Sequence, residues 1–95
     1  FLGYLPIDDA ARARKFKDME RCIRNDDQTQ IFIETPYRNN RLLAEMCRAL
    51  PATLRLCVAS NITSDNENIT TKTIKDWAKT SYNYDKVPTI FLLYK

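Results

Sequence analysis

The sequence predicts an α/β domain with an α+β tendency, a five-stranded mixed sheet with about three helices in the order β-α-β-α-β-β-α-β. Three observations carry this. Short apolar runs alternate with amphipathic stretches, and no low-complexity linker interrupts them. Helical stretches lie between strands, which implies crossovers and a partly parallel sheet. The length, 95 residues, suits one domain with one modest core.

Each element has its own signal. Phe1 to Leu5 is an apolar run ended by Pro6, read as a first strand. Asp8 or Asp9 can cap a helix from Ala10 to about Asn25, where Phe16, Met19 and Ile23 form one apolar stripe. Asn25-Asp26-Asp27 is a turn. Thr29 to Ile33 is apolar nearly throughout, as a strand buried on both faces would be. Thr35 is expected to cap the next helix, with Pro36 at its first position. Leu42, Leu43, Met46, Cys47 and Leu50 continue that helix at amphipathic spacing, and Pro51 ends it.

Leu54 to Ala59 is the third strand. After the polar Ser60–Asn66 turn, Asn68 to Lys72 is a short β-branched strand, best placed as an antiparallel return. Thr73-x-x-Asp76 resembles a capping box before a short helix with Ile74, Trp77 and Ala78. Tyr82 to Lys86 is a loop, and Val87 to Tyr94 is the last strand, with Pro88 tolerated at its start.

Composition excludes several function classes. No apolar run approaches the roughly 20 residues that span a bilayer. Net charge is +3, a mild excess rather than the balance of a dedicated nucleic-acid binder. Cys22, Cys47 and Cys57 are odd in number and lack Cys-x-x-Cys spacing, so reduced thiols in a cytoplasmic setting are expected. The absence of histidine argues against catalytic triads and zinc sites. Gly3 is the only glycine, so a glycine-rich phosphate or cofactor turn is not in this chain. Phe1 in place of Met, already in a strand-like run, suggests a piece of a longer protein.

The candidate site is the end of the second strand. Ile31-Phe32-Ile33 runs directly into Glu34, Thr35, Pro36, Tyr37 and Arg38. Open α/β sheets bind ligands where strand carboxyl ends meet helix amino termini. Glu34 reads either as a carboxylate settled by the helix dipole or as an acceptor for ligand hydroxyls. It is better placed to bind than to act as a general base, though no other base suggests itself. Arg38 reads either as its ion-pair partner or as a phosphate contact. The first helix carries Arg12, Arg14, Lys15, Lys17, Arg21 and Arg24, with Asp18 and Glu20 interleaved. It is either a solvated face or a phosphate-contact strip. Tyr82 and Tyr84 are either base-stacking groups or half-buried rim residues.

Several segments together resemble a known family. They are Phe-Leu-Gly-Tyr-Leu-Pro (1–6), an Arg-rich helix, Thr-Gln-Ile-Phe-Ile-Glu-Thr-Pro-Tyr-Arg (29–38), Leu-Cys-Val-Ala-Ser-Asn-Ile-Thr (56–63) and Glu-x-Ile-x-Thr-x-x-Ile (67–74). In that order they resemble the carboxy-terminal lobe of tetrapyrrole-methylase superfamily methyltransferases, in particular the ribosomal RNA small-subunit methyltransferase I group.

The resemblance implies that residues 1–95 are one lobe of a two-lobe, S-adenosylmethionine-dependent enzyme. An amino-terminal lobe would carry the glycine-rich turn, and the cofactor would bind between the lobes. Ile33, Glu34, Thr35 and Pro36, with Ala59, Ser60 and Asn61, would face that cleft. Arg12, Arg14, Lys15 and Arg38 would meet RNA. The implied partners are ribosomal RNA or the small ribosomal subunit, the amino-terminal lobe and a second copy of the chain, with no membrane. The implied reaction is 2'-O-methylation of 16S ribosomal RNA ribose. Methylation of a tetrapyrrole, and a non-catalytic RNA- or protein-binding module, are the alternatives. Two positions depart from the ribosomal pattern: Tyr37 stands where many members have His, and Asn61-Ile-Thr63 replaces Glu-Leu-Thr.

Overall fold

In a computed structural model, which describes residues 1–95, helix α1 runs Asp9–Asp26. Asp8 caps it by accepting the Ala11 N–H at 2.9 Å. It ends where Asp27 turns left-handed at φ 53°. Strand β1 is Gln30–Ile33, a 3-10 turn covers Pro36–Arg38, and helix α2 is Asn39–Ala49. Strands β2 (Arg55–Ser60) and β3 (Asn68–Thr73), helix α3 (Ile74–Ala78) and strand β4 (Thr89–Tyr94) complete the chain. The predicted capping box is formed in part, since Thr73 accepts the Asp76 N–H at 3.2 Å.

The sheet corrects the expected architecture. It has four strands in the order β1-β4-β2-β3, and every ladder is antiparallel. With three helices on it, the fold is α+β rather than a five-stranded mixed α/β sheet. Two physical reasons account for the difference.

First, Phe1–Leu5 does not become a strand. The Leu2 N–H reaches the Ile31 carbonyl at 2.7 Å, and the Ile33 N–H reaches that of Gly3 at 2.9 Å. Only one parallel bridge, Tyr4 to Ile33, results. Gly3 sits at φ +69°, a left-handed conformation that breaks the extended run in its middle. Second, β1 and β2 do run in the same direction and are joined through α2, as a crossover requires. Strand β4 inserts between them, antiparallel to both. Strands β3 and β4 likewise flank β2, so two β-α-β units interleave and no parallel ladder is left.

One sheet face makes the core. Phe32 pairs with Phe91, their rings stacked at 5.7 Å, and Val58 lies beside them. These side chains, with Leu56 and Leu93, pack against Phe16, Met19 and Ile23 of α1, Leu42, Leu43 and Met46 of α2, and Ile74 and Trp77 of α3. Burying each large apolar side chain contributes about 1.5–3 kcal/mol before ordering costs. The other face alternates with this one and carries Ile31, Ile33, Cys57, Ile90 and Leu92, all only half-buried. No helix is long and apolar enough to cross a membrane.

Candidate functional site

Strands β1 and β2 end on the same edge of the sheet, where β4 begins. Across that edge Ile33, Ile90, Ala59 and Ile69 stand side by side on the uncovered face. The chain segments that leave the strands wall off a pocket of about 320 Å³ around them. Its lining is Tyr4, Ile33, Glu34, Pro36, Ala59, Ile62, Pro88, Thr89 and Ile90. The pocket is mostly apolar and sits at the end of an open apolar sheet face.

The structure therefore brings together Ile33, Glu34, Pro36 and Ala59. Tyr4, Ile62, Pro88, Thr89 and Ile90 join them without having been singled out. Ile62 had a readable signal: it is a large apolar residue in a polar stretch, and it is 43% exposed. Thr35 is exposed beside the pocket and does not line it. Ser60 and Asn61 line a different pocket, on the helix side of the sheet.

Local backbone chemistry fixes the loop at the mouth. Asn61 adopts φ 51° and Thr63 φ 70°. Asn enters the left-handed region readily, whereas a β-branched Thr there is strained. The Asn61 N–H donates to the Pro88 carbonyl at 3.0 Å, and Glu67 accepts the Thr63 N–H at 2.9 Å. These bonds hold Ile62 over the pocket.

Glu34 is satisfied from within the chain. Its Oε2 accepts from Arg12 Nη1 at 3.2 Å and its Oε1 from the Thr35 N–H at 2.8 Å. Arg12 also donates through Nε to Glu45 at 3.0 Å and through Nη1 to the Pro6 carbonyl at 3.0 Å. Both side chains of the Arg12–Glu34 pair are 7% exposed. A guanidinium suits this role because its planar fork can serve two carboxylates at once. Glu34 thus ties the strand end to α1 rather than offering a free carboxylate.

The structure corrects the expectations for Arg12 and Thr35 and removes one of the two readings of Arg38. Arg12 is buried between two carboxylates and cannot join an exposed RNA strip, while Arg14 is exposed and Lys15 half-exposed on the same helix. Arg38 does not pair with Glu34; it is exposed and lines a small charged cavity of about 90 Å³ with Arg12, Glu34, Arg41 and Glu45. Thr35 makes no side-chain cap, and α2 starts three residues later than Pro36 implies.

The true start of α2 is a clamp that the sequence pattern does not announce. Asn39, fully buried, donates through Nδ2 to the Tyr84 and Val87 carbonyls at 2.9 and 2.8 Å, and to Thr89 Oγ1 at 3.1 Å. Asp85 accepts the Asn40 N–H at 3.0 Å, and Asn40 Oδ1 accepts the Tyr84 N–H at 2.8 Å. Two asparagines thereby fasten residues 84–89, and with them Pro88 and Thr89 of the pocket. Paired amides at a helix start were the available signal.

No family model matches the chain, and no curated protein matches it by sequence. Its fold matches a solved structure of the methyltransferase CobJ with a TM-score of 0.58. Identity is 15%, and the match covers 100% of this chain and 41% of that one. The chain thus spans about two-fifths of that protein, and at this identity the likeness is one of fold.

Proposed function

We propose that this chain is the carboxy-terminal lobe of an S-adenosylmethionine-dependent methyltransferase, and that the strand-end pocket is its half of the cofactor cleft. One observation carries the reading: the apolar pocket around Ile33, Ala59 and Ile90 runs on into an uncovered apolar sheet face. Such a surface is half of an enclosure, and ligand sites are concave, mostly apolar and set at strand ends or between domains. The fold match to part of a methyltransferase supports the same reading. So do the Gly-Tyr-Leu-Pro and Glu-Thr-Pro-Tyr-Arg segments.

The cofactor would supply an electrophilic methyl on sulfonium. Ile33, Ala59 and Ile90 would give it a dry wall, which suits an aromatic or aliphatic part of the molecule. Ile62 and Pro36 would exclude water at the rim. Glu34 would position rather than catalyse, since both its oxygens are engaged. A base for a hydroxyl acceptor would then come from the other lobe.

The acceptor we favour is ribose of the small-subunit ribosomal RNA, on the motif resemblance and on Arg14, Lys15, Lys17 and Arg38 taking part in no ion pair. A tetrapyrrole acceptor is the second reading. It is favoured by the loss of Arg12 to the interior and by the pairing of Arg21 with Asp18 and Arg24 with Glu20. Labelled methyl transfer by the full-length protein, offered small ribosomal subunits and a uroporphyrinogen-type substrate separately, decides between them. Transfer to neither would sink the enzymatic reading.

A further inference from the structure

On the helix-covered side of the sheet, β3 and the loop after α3 line a second, open pocket of about 420 Å³. Its chemistry differs from the first. Lys72 is its one charged side chain, and no carboxylate lines it. Lys72 is half-buried, lies 5.3 Å from the Trp77 ring centroid and donates to Thr80 Oγ1 at 2.9 Å. It takes part in no ion pair. A partly desolvated cation without a counter-ion is an electrostatic vacancy for an anion.

The walls say what the anion should be attached to. Tyr82 and Tyr84 stand near-parallel with centroids 6.3 Å apart, and each meets Trp77 edge-on. Trp77 is buried and anchored, its indole N–H donating to the Leu56 carbonyl at 2.8 Å. The Asn39–Asn40 clamp holds the tyrosine loop. The pocket also presents the amides of Asn68 and Asn83. Asn68 Oδ1 accepts from Thr70 and Asn83 Oδ1 from Asn40, and the N–H donors of both amides have no partner within the chain. The site offers a cation, amide donors and flat rings, held in place and within the volume range of small-ligand pockets.

We propose that this pocket binds a nucleotide unit, its phosphate on Lys72 and the amide of Asn68, its base against Tyr82 and Tyr84. Aromatic faces stack on bases irrespective of sequence, and lysine serves phosphate as a point charge. The proposal goes beyond the methyltransferase reading and shares no lining residue with the strand-end pocket. The unit could come from single-stranded RNA or from a free nucleotide.

The test is calorimetric titration of the full-length protein at low salt. Uridine 5'-monophosphate is the probe, since a pyrimidine does not mimic the adenosine of the methyl donor. Uridine and inorganic phosphate, the two halves, should each bind at least roughly tenfold more weakly than the whole. Lys72→Gln should weaken the monophosphate roughly tenfold or more, and Lys72→Arg should retain it. Asn68→Asp, on an exposed strand position, should weaken it as well, which guards against a folding defect in the lysine variant. Tighter binding of a short oligouridylate than of the monophosphate marks RNA as the source; equal binding marks the free nucleotide. Absence of binding by both, or equal binding by wild type and Lys72→Gln, overturns the proposal.

Discussion

Arg12 and Lys72 are two cations withdrawn from solvent, with opposite fates. Arg12 is 6% exposed and meets two carboxylates and a carbonyl. Lys72 is half-buried and meets one hydroxyl and an indole face. The first is spent on architecture: it ties α1, α2 and the end of β1 together. The second has binding capacity left over. Burial alone does not distinguish the two; the count of opposite charges around each does.

Four measurements probe that contrast, from the largest effect down. Replacing Arg12 with Leu should leave the buried Glu34 without its ion-pair partner, while Glu45 keeps Arg41, at a cost of about 3 kcal/mol in denaturant unfolding. Asn39→Ala strips the Tyr84 carbonyl of its donor and leaves Val87's with Thr89 alone, and about 1–3 kcal/mol should be lost. Lys72→Gln should cost about 1–2 kcal/mol, because only a cation–π contact and one hydrogen bond go. A loss there as large as that of Arg12→Leu would erase the distinction between the two cations. The smallest effect should be read in pH. Burial raises the Tyr82 and Tyr84 phenols and the Cys47 thiol above their ordinary values. Their native state holds protons that the unfolded chain has released, so stability should be intact below about pH 9 and decline as pH rises through the native values.

The same contrast explains what could be read beforehand. Phe16, Met19 and Ile23, and Leu42, Leu43 and Met46, announce their helices because burial of one face follows spacing. The strand cores were legible for the same reason. Strand order was not, because the insertion of β4 between β1 and β2 depends on long-range packing that no local window holds. Gly3 stands out in the sequence for its rarity, yet its φ of +69° and its effect on the first strand are tertiary facts. Arg12 looked like one cation among six on a solvent face, and the carboxylates that bury it lie 22 and 33 residues away. At the candidate site, the strand-end residues Ile33, Glu34, Pro36 and Ala59 were legible from the strand-to-helix junction and the motif resemblance. Pro88 and Ile90 reach the pocket only through the β4 insertion.

The central claim, that the strand-end pocket is half of a methyl-donor site, is tested most directly by S-adenosylmethionine binding to the full-length protein. The comparison is between wild type and Ile62→Arg. Ile62 is 43% exposed, so arginine there should leave the melting temperature unchanged while placing bulk and like charge against a sulfonium. Wild type should bind, with an affinity roughly tenfold or more lower in the variant. No binding by wild type, or equal affinity in both proteins, would contradict it.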